Sequence, residues 1–211
     1  MVSTPFDFSR VIPDLAPVSY VADPERWHFL LQIPGFWRVM FPVPPEIADE
    51  RAVEPDYIAQ QMSGVVSGIA RDEIVHRTLY RVHQRVAERF RLGRVFLAGD
   101  AAHVNNPLGG MGMNGGIHDA VNLAERLTQV WHGEVGEEEL DRYERQRRGI
   151  TIEYMQTQTI QNKQDLEARD PVEHAAFKAR VREIAGDAQR SREYLLGLSM
   201  IASLRRAAEL G

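Results

Sequence analysis

The sequence predicts an α+β fold in which a small antiparallel sheet comes first and long helices come last. Two observations predict it. Aromatic and β-branched residues form short runs before Pro42, whereas the chain from residue 137 onwards is charged and has helical spacing. Strands and helices do not alternate along the chain, so a repeating βαβ array is not expected.

The first strands are predicted at 17–21, 27–33 and 36–41. Asp-Pro and Pro-Gly pairs separate these runs, which favours an antiparallel meander. Residues 2–8 also resemble a strand, with almost nothing before them. Two interpretations of that start stay open: a short edge strand at a natural beginning, or the later part of something longer.

The later elements follow from turn signals and helical spacing. A short helix is expected over 54–66 with Pro55 in its first turn, where the missing N–H is tolerated. Residues 74–86 are predicted to be extended and 94–98 to form a buried strand. Helical stretches are then expected at 114–130, 137–168, from 170 and at 187–210. The helix at 114–130 has one apolar stripe: Ile117, Val121, Ala124, Leu127 and Val130.

Composition excludes several kinds of function. The net charge is −5 and no stripe of Lys and Arg alternates with aromatic residues, so a nucleic-acid surface is not expected. The chain has no cysteine, and His28, His76 and His83 lack ligand spacing, so no metal site is predicted. No apolar run is long enough for a membrane span and no signal peptide is visible, which predicts a cytoplasmic protein.

The segment between Gly99 and Gly116 is the most informative part of the sequence. It follows a strand, contains five glycines in its last eight residues and leads directly into a helix. Such glycine density is typical of left-handed backbone or of close approach to another group. Because the first N–H groups of a helix lack partners and carry partial positive charge, this arrangement predicts a site for an anion or an electron-rich ligand.

A dinucleotide-binding fingerprint also matches within this loop, at residues 110–115. That fingerprint requires its first glycine in the tight turn directly after the strand. Here nine residues separate Asp100 from Gly110. We therefore reject the match as a pyrophosphate-binding turn.

The whole block closely resembles the second FAD motif of the flavin-dependent aromatic hydroxylases of the para-hydroxybenzoate and phenol hydroxylase type. That motif runs G-D-A-A-H, then P, then G-x-G-x-N, then D-A-x-N-L. The sequence has its parts in the same order: Gly99-Asp100-Ala101-Ala102-His103, Pro107, Gly110-Met111-Gly112-Met113-Asn114 and Asp119-Ala120-Val121-Asn122-Leu123. The branch that it most resembles is the 3-(3-hydroxyphenyl)propionate hydroxylase type.

The resemblance implies FAD as cofactor, NAD(P)H as reductant and hydroxylation of a small phenolic substrate through a C4a-hydroperoxyflavin. It places Asp100 on the ribityl hydroxyls and Pro107 beside the isoalloxazine ring. The backbone at Gly112, Met113 and Asn114 would face the pyrimidine end of the ring, at N1 and the C2 carbonyl. The implied cofactor-binding residues are Asp100, Pro107, Gly109, Gly110, Gly112, Met113 and Asn114. No catalytic side chain is assigned.

Other residues near the motif have simpler interpretations. His103 is predicted to hold the loop rather than to relay protons. Asp119 and Asn122 are expected to tie the helix to neighbouring loops. Met111 and Met113 fit either gap-filling or flavin contact. The aromatic residues of the sheet fit core packing better than a pocket: Trp27, Phe29, Trp37 and Phe41.

The resemblance also implies a domain division. Residues 1–90 correspond to late strands of the substrate sheet, 91–168 to the C-terminal part of the FAD-binding domain and 169–211 to C-terminal helices. The family's strand–G-x-G-x-x-G–helix unit and its mid-chain Asp-Gly motif are absent. We therefore expect a chain without its first half, through truncation, a split gene or a mis-set start codon.

Two hypotheses about activity follow from that absence. In the first, the chain is part of an active monooxygenase, and a partner chain supplies the N-terminal half of the FAD site or the chain is part of a longer enzyme. In the second, it is a non-catalytic remnant or scaffold with weak or no FAD binding. A related flavin halogenase or epoxidase is a third alternative.

Overall fold

The computed structural model describes residues 1–211, which form two compact units. The sheet unit comprises residues 1–81 and 165–174, and the helical unit comprises residues 82–164 and 175–211. These units reflect packing alone. The division from the sequence stays a prediction: 1–90, 91–168 and 169–211.

The strands are short, and the helices become long only after the glycine-rich loop. The strands are β1 Val2–Thr4, β2 Val18–Val21, β3 His28–Ile33, β4 Phe36–Met40, β5 His76–Arg77, β6 Arg85–Val86, β7 Arg91–Leu92, β8 Val95–Phe96 and β9 His103–Val104. The helices are α1 Asp49–Ala52, α2 Pro55–Val65, α3 Met111–Trp131, α4 Leu140–Ile150, α5 Thr157–Glu167, α6 Pro171–Gly186, α7 Ala188–Leu198 and α8 Ile201–Glu209. None of these helices combines the length and apolar character that a bilayer span requires.

The sheet unit contains one antiparallel sheet in the order β2-β3-β4-β1-β5. The predicted α+β class and the meander of β2, β3 and β4 are confirmed. The edge-strand interpretation of the first residues is wrong, because β1 lies between β4 and β5. Val2 is fully buried there, and strand position cannot be read from a local pattern because it depends on distant partners.

The core of the sheet unit lies where α2 packs on the sheet. Leu30 and Val39 are directly opposite in the register of β3 and β4, and both are fully buried. They belong to one apolar cluster with Tyr57, Ile58 and Met62 of α2. The predicted short helix is therefore confirmed, with Pro55 at its start as expected.

The predicted extended segment 74–86 forms two short strands in different sheets. β5 pairs with β1 in the sheet unit, whereas β6 pairs with β9 in the helical unit. The change of partners coincides with the division between the units near residue 81. Extended character was therefore predicted correctly, but not the change of sheet.

The helical unit differs from expectation in three details. α3 begins at Met111, three residues earlier than predicted. A π-helical segment, Thr151–Gln156, joins α4 to α5 within the predicted long helix. The last predicted helix is two helices, α7 and α8, because Met200 has a left-handed backbone with φ +60°.

The strand at 94–98 was predicted to be buried, and this is wrong. β8 pairs only with β7, and Val95 is 65% exposed. The apolar stripe of α3 is also largely exposed, including Ile117 and Val121. An apolar pattern indicates that a face is suited to burial. It does not show whether other residues of this chain bury that face.

Candidate functional site

The predicted motif begins where β8 ends. The backbone turns at Gly99, which has φ +60°, through a single 3₁₀ turn, Gly99–Ala101. Tyr143 of α4 donates a hydrogen bond of 2.6 Å to the carbonyl oxygen of Leu97. Burial raises the pKa of Tyr143, so its hydroxyl remains a donor. The segment before the turn is thereby anchored to α4.

Asp100 is the middle residue of this turn and is exposed to solvent. Its carboxylate forms no hydrogen bond or ion pair within the chain, although arginine-rich helices lie in the same unit. An unpaired exposed carboxylate directly after a strand can accept hydrogen bonds from hydroxyl groups of a ligand. The position therefore fits the ribityl contact that the sequence predicts, which stays a prediction.

The turn is also held by a close approach of two glycines. A Cβ atom added to Gly116 of α3 would lie 3.1 Å from the Cα atom of Gly99. This separation is tighter than ordinary van der Waals contact, and the opposing atom is backbone. Only glycine at position 116 allows α3 to pack this close to the turn.

We expect Gly116→Ala to lower the unfolding free energy of the helical unit by about 1–2 kcal/mol, because overpacking outweighs the usual helix gain. Gly197→Ala is the matched control, since a Cβ atom at that helical position meets nothing within 4 Å. The control should gain about 0.5–1 kcal/mol. Hydrogen exchange of amides in the helical unit measures the unfolding free energy of both variants. Equal stabilities would contradict the close approach.

The glycine loop ends in left-handed backbone at the start of α3. Gly109 has φ +107° and Gly110 has φ +66°, and Gly110 is the N-cap residue. The first N–H groups of α3, at Met111, Gly112 and Met113, have no carbonyl four residues earlier in the helix to bind. The helix therefore presents free N–H groups and partial positive charge at its first turn.

The two methionines of the loop have different environments. Met111 is buried with Met155 and Met200, so it belongs to the core. Met113 is 75% exposed, and Asn114 beside it is exposed while its side chain donates to the carbonyl of Gly110 at 3.1 Å. Of the two alternatives for the methionines, gap-filling therefore describes Met111, and Met113 is available for contact.

The segment around Pro107 is fixed by hydrogen bonds of the buried side chain of Asn106. The amide N–H of Leu108 donates to Asn106 Oδ1 at 3.1 Å, and Asn106 Nδ2 donates to the carbonyl of Thr159 at 2.9 Å. Gln84 Oε1 accepts from both the backbone and the side chain of Asn106, each at 2.9 Å. Pro107 is therefore exposed on a segment whose neighbouring polar groups are hydrogen-bonded to other residues of the chain.

A second amide and the π-helical segment complete this support. Asn162 Nδ2 donates to the carbonyl of Leu108 at 3.1 Å, and Gln84 Nε2 donates to Gln156 Oε1 at 2.7 Å. Gln156 ends the π-helical segment, a feature that is frequent at functional sites. Sequence reasoning missed these amides, because the contacts of Asn162 with Leu108 and of Gln84 with Gln156 join residues more than 50 positions apart.

A buried ionic network fixes α3 to the turn. Asp119 is fully buried, and its Oδ2 accepts from the N–H of Gly99 at 3.0 Å and from His103 Nε2 at 2.8 Å. Its Oδ1 accepts from Arg147 Nε at 2.7 Å. The predicted structural roles of His103 and Asp119 agree with these contacts. Asn122 instead donates to Gln146 of α4, so it joins two helices rather than a helix and a loop.

The pKa of Asp119 is lowered by these partners. Burial is the largest single effect and raises it, but the hydrogen bonds from His103 and Arg147, the charge of Arg147 and the N–H of Gly99 together outweigh burial. The carboxylate is therefore ionised at neutral pH. Arg147 was missed by sequence reasoning, because a lone arginine in a charged helix gives no signal of burial.

The predicted cofactor residues all lie where a ligand can reach them. Five are exposed and two are half-buried, and none lies in the core. The exposed residues are Asp100, Pro107, Gly110, Met113 and Asn114, and the half-buried ones are Gly109 and Gly112. Exposed surface on a rigidly supported loop, with an acceptor at one end and free N–H groups at the other, can bind a large polar aromatic ligand.

Comparison with known proteins identifies the family. The model of the FAD binding domain family matches residues 32–158. A para-nitrophenol 4-monooxygenase from Pseudomonas sp. (strain WBC-3) is 33% identical over 204 residues, which are 95% of this chain and 50% of that protein. A 3-(3-hydroxy-phenyl)propionate/3-hydroxycinnamic acid hydroxylase from Mycobacterium avium (strain 104) is 38% identical over 128 residues, 60% of this chain and 22% of that protein.

Solved structures agree with the sequence comparison. The crystal structure of p-nitrophenol 4-monooxygenase from Pseudomonas putida DLL-E4 matches with a TM-score of 0.84 and 32% identity, covering 93% of this chain and 51% of that one. The chain thus spans about half the length of the para-nitrophenol monooxygenases it matches. The family match covers more than half of the chain and includes the entire loop described above. The chain therefore belongs to the FAD binding domain family.

Proposed function

We propose that the loop and the first turn of α3, residues 99–114, bind the flavin part of FAD. The observation that carries the proposal is the pairing of an unpaired, exposed carboxylate at Asp100 with an open helix N-terminus after Gly110. The first can accept hydrogen bonds from ribityl hydroxyls, and the second stabilises an electron-rich ring edge. Membership of the FAD-binding domain family supports the same assignment.

The residues present fit this cofactor. A Cβ atom on Gly112 would lie 3.2 Å from Asn105 Oδ1, so glycine at this position allows the side chain of Asn105 to pack closely against the first turn of α3. The free N–H groups of that turn would stabilise negative charge at N1 and the C2 carbonyl by roughly 0.3–2 kcal/mol. When bound, FAD supplies the redox chemistry, and the protein contributes binding, orientation and exclusion of water.

The proposed activity is that of the flavin-facing portion of an aromatic ring monooxygenase. We propose NAD(P)H as reductant and a small phenolic compound as substrate that is hydroxylated with O₂. The relatives that match are named as a nitrophenol monooxygenase and hydroxyphenylpropionate hydroxylases, which supports hydroxylation rather than halogenation or epoxidation. A cytoplasmic location is part of the same proposal.

The proposal includes a complementing segment. The exposed stripe of α3 runs from Met113 through Ile117 and Val121 to Trp131, which is 88% exposed. Contiguous exposed apolar surface of this kind is typical of an interaction site. We infer that the dinucleotide-binding portion of the fold covers it, supplied by a partner chain or by the same polypeptide. The half-length match to the para-nitrophenol monooxygenases supports this inference.

The test is a titration of the purified chain with FAD, followed by quenching of flavin fluorescence. We expect Asp100→Asn to weaken binding by roughly 10- to 100-fold, since a hydrogen bond to a charged acceptor contributes about 1.5–3 kcal/mol. Asp72→Asn, at an exposed position of the sheet unit, is the matched control and should bind as the unsubstituted chain does.

Two results would contradict the proposal. Equal affinity of Asp100→Asn and the unsubstituted chain would remove Asp100 from the site. Absence of any binding by the unsubstituted chain would favour a scaffold without cofactor. Oxidation of NAD(P)H on addition of FAD and a phenol would support the monooxygenase assignment.

A further inference from the structure

We propose that Arg147 is a positioning residue for the flavin-binding turn and acts through Asp119 from a helix outside the loop. The inference rests on the proposed function for its effect on FAD, but the contacts are independent of any ligand. Arg147 lies 47 positions after Asp100 and belongs to no part of the recognised motif. Its role therefore has to be argued from geometry.

The geometry makes Asp119 a junction between three elements. One carboxylate oxygen accepts from Arg147 of α4, and the other accepts from the turn, at the N–H of Gly99 and at His103 Nε2. Gly99 directly precedes Asp100, the residue proposed to bind the ribityl chain. The orientation of the Asp119 carboxylate thus sets the position of the Asp100 backbone, and Arg147 fixes that orientation.

Arg147 also contacts the part of α3 that faces the turn. Its Nη2 lies 3.4 Å from the carbonyl oxygen of Gly115, one residue before the glycine that packs against Gly99. The guanidinium is 1% exposed, so water cannot replace it as a donor to Asp119. Loss of Arg147 would leave a buried carboxylate with its two loop donors and no compensating positive charge.

The charged and titratable groups that face Asp119 come from every side of the junction. They are His103 of the turn, Arg147 and Tyr143 of α4, and His118 of α3. Arg147 contributes both a hydrogen bond and a charge that lower the pKa of Asp119 against the larger effect of burial. Without Arg147 the pKa of Asp119 rises, so the carboxylate takes up a proton at a higher pH than in the unsubstituted chain.

This difference provides a measurement that simple loss of stability would not reproduce. In the unsubstituted chain the pKa of Asp119 is below that of an ordinary aspartate, so the carboxylate is still ionised at moderately acidic pH. The hydrogen bonds that it accepts from Gly99 and His103 are therefore weakened only at strongly acidic pH. In Arg147→Met the same hydrogen bonds are weakened as pH falls through a higher value. FAD affinity of the variant should therefore decline towards acidic pH over a range in which that of the unsubstituted chain does not.

The experiment compares three variants of the full chain with FAD as the probe. Arg147→Met should weaken FAD binding by about tenfold at neutral pH and show the added acidic decline. Arg147→Lys keeps the charge and should restore most of the affinity and the pH profile. Arg145→Met removes an exposed arginine from the same helix and should change affinity less than about twofold.

A second readout needs no FAD. Exchange of the Gly99 amide hydrogen, measured by NMR, should be about tenfold or more faster in Arg147→Met than in Arg145→Met at one pH. If Arg147→Met does not fold, the same comparison is made with Arg147→Lys, which should exchange slightly faster than the control. Unchanged exchange at Gly99 would overturn the proposal.

Different results would contradict the flavin assignment and the positioning role of Arg147. If the unsubstituted chain binds no FAD while Gly99 exchange responds to position 147, the flavin assignment fails and the positioning of the turn stands. If FAD binds but Arg147→Met matches Arg145→Met in affinity and pH profile, the positioning role fails and the flavin assignment stands.

Discussion

Replacement of Asp119 by alanine is expected to lower the unfolding free energy of the helical unit by about 3–5 kcal/mol, because it leaves a buried charge without its partner. Arg147 is 1% exposed and has no other acid within reach of its guanidinium. The N–H of Gly99 and the ring of His103 lose their acceptor in the same substitution. Typical domains are stable by only about 5–15 kcal/mol, so this loss would be a large part of the stability of the helical unit.

The measurement has to separate the two units, because one transition is not expected for both. Hydrogen exchange of amides within α3 and α4 reports the helical unit alone. Asp141→Ala is the matched control, since Asp141 also pairs with an arginine, Arg91, but is exposed. The control should cost at most about 1 kcal/mol. A loss below that value for Asp119→Ala would show that the buried network contributes little.

The residues of the candidate loop could be predicted from the sequence because their signal is local. The strand predicted at 94–98 with Gly99-Asp100 directly after it, and the glycine run before a helix, both concern residues that are neighbours along the chain. The positive φ of Gly109 and Gly110 agrees with the left-handed backbone that the glycine density of the loop predicted. The strands of the meander were also predicted, since Asp-Pro and Pro-Gly turns separate them.

The support beneath the loop could not be predicted, because it depends on contacts between distant positions. Asn106 meets Thr159 across 53 residues, and Asp119 meets Arg147 across 28. Nothing in a single sequence distinguishes buried Arg147 from exposed Arg145, two residues earlier on the same helix. Such a distinction requires knowledge of which helix faces which loop.

The prediction of a buried strand at 94–98 failed for a related reason. Apolar composition indicates that a segment is suited to burial, but cover has to come from another part of a fold. In this chain only β7 pairs with β8, and Val95 remains exposed. The exposed apolar stripe on α3 has the same explanation, and it is this stripe that we propose a dinucleotide-binding segment covers.

Replacement of Phe90 by alanine is expected to lower the unfolding free energy of the helical unit by about 3–5 kcal/mol, through loss of buried area and creation of a cavity. Phe90 is 0% exposed and packs with Ala102 and Tyr143. Its ring stacks on His103 with centroids 6.0 Å apart and planes inclined by 24°. Removal of the ring therefore frees the imidazole that donates to Asp119.

The control for this variant is Phe177→Ala, which removes the same ring from a half-buried position in the same unit. The Cζ atom of Arg180 lies 5.5 Å from the centroid of the Phe177 ring. A cation–π contact of this kind contributes about 0.5–1 kcal/mol, so Phe177→Ala should cost much less stability than Phe90→Ala. Phe90→Ala should in addition accelerate hydrogen exchange at Gly99, because the imidazole and the turn share one acceptor. A large loss of stability without faster exchange at Gly99 would show that the ring supports the core but not the turn at Gly99.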